Sequence, residues 1–233
     1  MSEQPLPSSL NHFSIFAFTD DFWRLTSDDR TGMLGDWSAG LADAAGAAHF
    51  YQTYPLERHG DLIVWTAIPT PTPEAPAAFF EALARVTNPH RRYLRLHDVL
   101  WGLTRPSQYS KARSAQEIDP FQLDRHPYLI MYPFTKTTDW YLQNQEARQG
   151  MMNEHIRIGK QYRDITQLLL YSFGLQDQEF VVVYETDDLT RFSRLVMELR
   201  ATEGRAYTKS DTPLHTGIYQ PPARGLELWS CDL

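Results

Sequence analysis

The chain has 233 residues, 42% hydrophobic and 13% aromatic, and its 22 Lys and Arg against 29 Asp and Glu give a formal charge of −7. An acidic chain with no basic run argues against wrapping nucleic acid or adhering to an anionic membrane surface, and no apolar run approaches the roughly 18 residues of a membrane span. The single cysteine, Cys231, allows no intrachain disulfide and fits a reducing compartment. The opening MSEQPLPSSLNHF has no basic region followed by an apolar one, so it does not read as a secretion signal and a cytoplasmic protein is expected.

Residues 1–11 are polar and Pro-rich and read as a disordered arm. A strand is predicted over 12–18 and a helix over 20–43, where Met33, Leu34, Trp37 and Leu41 recur at helical spacing. Strands over 49–54 and 62–68 follow, then prolines that introduce a helix at 76–87 and a fourth strand at 97–103. The polar stretch 104–127 holds three prolines and is predicted to be a linker. Beyond it the order repeats, with a strand at 128–134, a helix at 145–162, strands at 165–173 and 180–185, a helix at 188–200 and a strand at 214–219. The expected units are therefore 12–103 and 128–233.

The halves also share residues. FAFTDDFWRL (16–25) resembles YPFTKTTDWYL (132–142), and with two single-residue gaps Arg30 and Met33 align with Arg148 and Met151. A tandem duplication of a split β-α-β unit follows, an α+β protein of two ferredoxin-like halves whose sheets could pair. On this alignment Phe16, Asp20 and Trp37 stand where the second half has Tyr132, Lys136 and His155. Groups with chemical potential are thus concentrated in the second copy.

His155 shares a helix face with Met151, Met152, Gly159 and Tyr162. An imidazole in such a stripe is either a hydrogen-bonded core histidine or a metal ligand, and Gly159 removes bulk one turn on. In ITQLLLYSF the odd positions Ile165, Gln167, Leu169, Tyr171 and Phe173 share a face. Gln167 there either meets a buried partner or reaches solvent at an edge. Tyr132 is expected to point inward with its hydroxyl in need of a partner, and Lys136 lies four residues on, at the strand's end. No multi-histidine metal spacing, glycine-rich phosphate loop or G-x-S-x-G elbow occurs.

Four motifs in the second half bear a family resemblance. They are Y-P-F-x-K-x-x-x-W-Y from Tyr132, E-H-x-x-x-G-x-x-Y from Glu154, SFGLQDQEF at 172–180 and L-R-x-T-E at 199–203. Together they resemble the chlorite dismutase-like haem proteins, which include chlorite dismutases and coproheme decarboxylases. The resemblance implies a dimeric α+β barrel of two ferredoxin-like halves, with haem in the C-terminal half only and a homo-oligomer, usually a pentamer. It makes His155 the proximal iron ligand, Tyr132 a redox-active tyrosine, Lys136 a propionate-side lysine and Trp140 a neighbour of the macrocycle. Glu203 would accept from the other nitrogen of His155.

Counting back from the S-F-G-L motif, the distal position is Gln167, where chlorite dismutases place an arginine. A neutral amide cannot hold an oxyanion as guanidinium does. The implied activity is therefore decarboxylation of the two reacting propionates of coproheme III by hydrogen peroxide, yielding haem b. The alternatives are a haem b chlorite dismutase or peroxidase-like enzyme, and a haem-binding protein without catalysis. The chain departs from the glutamine-bearing branch at Thr137, where a basic residue is usual, and residues 98–125 contain no histidine that could replace Gln167.

Overall fold

The computed structural model describes residues 8–109, 114–224 and 226–231. Nine strands form one antiparallel sheet: β1 (Ser9–Phe18), β2 (Ala47–Gln52), β3 (Leu62–Pro69), β4 (Leu94–Thr104), β5 (Tyr128–Lys136), β6 (Thr166–Tyr171), β7 (Phe180–Thr186), β8 (Thr208–Ser210) and β9 (His215–Gln220). The hydrogen-bonded order is β7-β6-β4-β1-β3-β2-β9-β5, and β5 pairs again with β7, so eight strands close into a ring. The short β8 adds to the end of β5 at Thr135 and Lys136.

Closure gives each strand two faces to bury, one inward and one beneath helices. β1 is the extreme case, with nine of its ten residues buried, which is why its apolar alternation is weak in sequence. It also corrects the predicted arm: Ser9, Leu10 and Asn11 are buried, and Leu10 pairs with both Ile68 and Leu103. Only residues 1–7 of that arm lie outside the described residues. The predicted helix 20–43 is instead two helices, α1 (Asp20–Trp23) and α2 (Ser27–Ala44). Thr26 interrupts them by accepting from the Asp29 N–H as an N-cap.

The ring interior is filled by residues of both halves, among them Phe13, Ile63, Trp65, Leu129, Leu168 and Val183. Outside it, α2 and α7 (Glu227–Ser230) cover one face through Trp37, Phe16, Phe50 and Trp229. In the second half α6 (Leu189–Arg200), capped by Asp188, sets Phe192 and Leu195 on Ile130 and Tyr184. The remaining helices are α3 (Ala75–Thr87), α4 (Thr138–Leu142) and α5 (Gln145–Gly159).

The segment expected to be a linker also enters the core. It carries Ile118 into the interior cluster, and Arg125 and Glu185 meet there with side chains 1% and 4% exposed. Arg125 lies 3.4 Å from both Glu185 oxygens, rests over the Trp65 ring and donates to the Gln122 carbonyl. The Tyr51 hydroxyl donates to Glu185 at 3.0 Å. Burial raises the Glu185 pKa, and Arg125 together with the Tyr51 hydrogen bond opposes that rise. Toward the other end His215 lies 3.0 Å from Glu57 and 3.5 Å from Asp98.

Removing one member of the buried pair leaves the other charge without compensation. Glu185→Ala should therefore cost about 3–5 kcal/mol in urea unfolding. The double variant Arg125→Met/Glu185→Leu should recover most of that loss. Equal losses in the single and double variants would show that the pair's charge is not the cause.

Candidate functional site

The site forms on the helix-facing side of the second half's sheet, and strand register fixes its floor. Gln167 lies opposite Tyr184, which lies opposite Ile130; Leu169 lies opposite Val182, which lies opposite Tyr132. Period two therefore sends Gln167, Leu169, Tyr184 and Tyr132 to one face, while Leu168 and Leu170 enter the ring interior. The sequence pattern placed Gln167 correctly among odd positions, yet that face is the open one: Gln167 is exposed and Leu169 is 43% exposed. No buried amide partner is required. The Gln167 backbone is held by a parallel bridge to the 116–118 segment, donating to the Gln116 carbonyl at 2.7 Å and accepting from Ile118 at 3.0 Å.

The facing wall is α5. Asn144 caps it by accepting from the Ala147 N–H at 2.8 Å, and the helix packs on α6 and on the 3-10 turn Glu203–Tyr207, with Ile158 in the same buried cluster as Ile130 and Tyr184 of the sheet. His155 is half-buried on this helix; burial and then the charge of Lys136 lower its pKa, with Glu154 opposing them. The imidazole is accordingly neutral at physiological pH, as a metal ligand must be. At Gly159, the last residue of α5, an added Cβ would meet no atom within 4 Å. The helix ends there, so Tyr162 belongs to the following turn, where its hydroxyl donates to Glu198.

One residue ties the two walls together. The Gln116 side-chain amide donates to the carbonyls of Tyr162 at 2.8 Å, Ile165 at 2.9 Å and Gly159 at 3.4 Å, while the Gln116 backbone carbonyl accepts from the Gln167 backbone N–H. The polar composition of 104–127 gave no sign of this role.

At the corner between β5 and α4, Lys136 stands with its ammonium 4.2 Å from the Trp140 ring centroid and donates to the Gly204 carbonyl at 3.2 Å. Burial, reinforced by Arg205, lowers Lys136 to about 8, and Glu179 acts in the opposite sense. Trp140 is buried beneath it against Tyr207. Glu179 accepts from both the Lys136 N–H at 2.8 Å and the Tyr141 hydroxyl at 2.5 Å.

Tyr132 lies against Tyr184 with ring centroids 6.4 Å apart. Burial and then Tyr184 hold its hydroxyl well above the ordinary phenol range, so it stays protonated at physiological pH. Glu203 is exposed, and the hydrogen bond it makes is from its backbone N–H to Glu154 at 3.3 Å. Among the described residues its side chain makes no hydrogen bond to His155. The structure therefore brings His155, Lys136 and Trp140 within reach of one another, sets Tyr132 and Gln167 on one face of the adjoining strands, and places Glu203 beside Glu154. Tyr184, Glu179 and Arg205 belong to the same surroundings. Period two along FVVVYET would have found Tyr184, whereas the other two depend on tertiary contacts.

Among the described residues no three His, Cys, Asp or Glu side chains cluster to hold a metal ion. A lone neutral imidazole, with open space at the glycine one turn on, suits a metal whose other ligands come from a flat macrocycle. These features define an α/β protein with a large antiparallel sheet and a site suited to haem. The chain belongs to the chlorite dismutase family, whose model matches residues 20–220; this is a family of enzymes. It is 31% identical over 186 residues to the coproheme decarboxylase of Mycolicibacterium smegmatis, spanning 76% of this chain and 71% of that protein. Its fold matches chlorite dismutase from Candidatus Nitrospira defluvii in complex with imidazole, at a TM-score of 0.80 and 22% identity over 96% of this chain and 95% of that one. An arginine-to-lysine mutant of that enzyme matches at 0.81, with 22% identity and 97% of both chains covered.

The lowered Lys136 can be tested directly. In NMR of ¹³C-methylated lysines, one resonance should titrate near 8 and disappear in Lys136→Met. Arg205→Ala should move it upward, because a neighbouring positive charge is lost. Titration of every lysine near ~10.4 would contradict the site's electrostatics.

Proposed function

We propose that this protein is an oxidative coproheme decarboxylase that converts coproheme III to haem b with hydrogen peroxide. The observation that carries the reading is a neutral imidazole within the field of Lys136, in the same half as a sheet face that bears Tyr132, Leu169 and Gln167. The similarity to a coproheme decarboxylase over 76% of the chain supports the same reading.

In this reading His155 holds the iron of coproheme, and Leu169, Trp140 and the bare Gly159 accommodate the flat ring. The iron supplies oxidising equivalents from peroxide. Tyr132 gives up its hydroxyl hydrogen and then, as a neutral radical, takes a hydrogen atom from the β-carbon of a propionate. Loss of a second electron and of CO2 leaves a vinyl group. Each propionate consumes one hydrogen peroxide and releases one CO2 and two waters, and the cycle runs twice. Lys136 pairs with the propionate carboxylate while it is charged, and Trp140 beneath it keeps the ammonium in place. Gln167 shapes the peroxide side without offering a cation.

The ring of eight strands is read as a dimeric α+β barrel of two ferredoxin-like halves, and the assembly as a homopentamer. Cytoplasmic location accords with the lone cysteine, and among the described residues no helix is long and apolar enough to cross a membrane. One observation favours a second reading, chlorite degradation on haem b: Arg105 stacks over Tyr171, 5.6 Å from its centroid, which brings a guanidinium toward the end of the Gln167 face.

With ferric coproheme III and peroxide titrated in, mass spectrometry should show two stepwise losses of a carboxyl group. Tyr132→Phe should retain coproheme and lose the reaction by at least about a hundredfold; a fully active variant would sink the radical relay. Oxygen release from chlorite with unreacted coproheme would select the second reading. Gly159→Leu separates binding from stability. It should leave thermal stability equal or raise it by up to about 1 kcal/mol through helix propensity. Haem uptake in a Soret titration should nevertheless fall at least about tenfold, and unchanged uptake would move the ligand out of the gap beside α5.

A further inference from the structure

A cavity lies in the first half, on strands and helices other than those that carry His155. It encloses about 650 Å³ between the helix-facing side of β1, β3 and β4 and the helices α2 and α3. Three polar side chains line it from the sheet: His12, Ser14 and Thr66 are 7%, 8% and 1% exposed. His12 Nδ1 lies 3.4 Å from the Ser14 hydroxyl, the only hydrogen bond its side chain makes among the described residues, and its ring stands edge-on to Phe79 and Phe80. Leu83 and Val64 supply apolar wall, and the exposed Arg91 and Arg95 stand at the mouth. Arg92 between them is paired with Asp21, whereas Arg91 and Arg95 make no ion pair among the described residues.

Register explains why space is left here. In the first half Phe16 lies opposite Leu62, Ser14 opposite Val64 and His12 opposite Thr66. In the second half Tyr132 lies opposite Val182, Ile130 opposite Tyr184 and Tyr128 opposite Thr186. With Phe16 set on Tyr132, as the sequence repeat has it, Ser14 and Val64 take the places of Ile130 and Tyr184. Those two larger residues are the ones on which Phe192 and Leu195 of α6 pack. The first half therefore lacks the side chains that would fill the space beneath α3. The helix it does pack is α2, through Trp37, at the position where the second half has His155. α3 meets the sheet instead through Phe79 and Phe80, against His12 and Trp101.

The Thr66 hydroxyl donates to the His12 carbonyl at 3.3 Å, so the floor of the cavity is a row of side chains with hydrogen-bonding capacity already set in place, and cavities of this size hold drug-sized ligands. We propose that this cavity is a second ligand site, distinct from the one beside α5, for an amphipathic organic anion. Its neutral hydrogen-bonding end would meet His12, Ser14 and Thr66, its apolar body would lie along Val64 and Leu83, and its carboxylate or sulfonate would face Arg91 and Arg95. Burial lowers His12 to about 4, so the floor takes a neutral group and the charge stays at the mouth.

The probe is 1-anilinonaphthalene-8-sulfonate, titrated calorimetrically into the full chain as purified and after saturation with haem b. One saturable site per chain is expected under both conditions. Ser14→Ile/Val64→Tyr, which restores the second half's side chains, should abolish it while leaving circular dichroism and the haem Soret titration unchanged. Leu83→Trp fills the same space from α3 and gives an independent check should the double variant not fold. Arg91→Ala/Arg95→Ala should weaken binding about five- to tenfold, the scale of exposed charge contacts. Absence of binding, binding that survives the filling variants, or binding that haem displaces would overturn the second site.

Discussion

Closure of the sheet is the constraint on which the other features depend. Eight antiparallel strands that return to their starting neighbour have no free edge along most of their length, and each residue must face either inward or toward the helices. The inward set is apolar and shared between the halves, so Trp65 and Ile63 pack against Leu129 and Val183. The outward set is where the halves diverge, since packing there is local to each helix. Chemistry can therefore be placed on the outer face without disturbing the interior, and the same β5–β6–β7 surface carries Tyr132, Tyr184, Leu169 and Gln167.

The electrostatics of the site follow from partial burial rather than from an accumulation of charge. Lys136 is held over Trp140 with Arg205 nearby, which makes its proton easier to lose. His155 feels the same positive charge and stays neutral. Tyr132 is pushed the other way, toward retaining its proton. Desolvation thus keeps the imidazole neutral and leaves the lysine near the point at which it can exchange a proton, and on the sheet face beside Tyr184 it keeps the phenol protonated.

Much of this was legible in the sequence because strand and helix periods are local. The order of the long elements and the second half's motif residues could be read directly, and Asp188 announced the start of α6. What escaped depended on partners distant in the chain. Ser9, Leu10 and Asn11 look like a polar arm until β3 and β4 bury them. Arg125 looks like a linker residue until Glu185 and Trp65 receive it. The face of β6 was assigned with the correct period, but whether Gln167 met a partner or solvent depends on how far α5 stands from the sheet. That distance is a tertiary quantity. Glu203 illustrates the same limit: its place in L-R-x-T-E is visible in sequence, whereas the direction of its side chain is not.

The clamp made by Gln116 bears on how such a site can be altered. Its amide reaches three carbonyls at the end of the His155 helix, and its backbone holds the strand that carries Gln167. The spacing between the end of that helix and that strand is thus set by a residue outside the proposed lining. Changes in the 114–118 segment could widen or narrow the opening while every lining side chain stayed the same. Selectivity for ligand thickness is in this sense separable from selectivity for ligand chemistry, and the two can drift independently between proteins that share the same site residues.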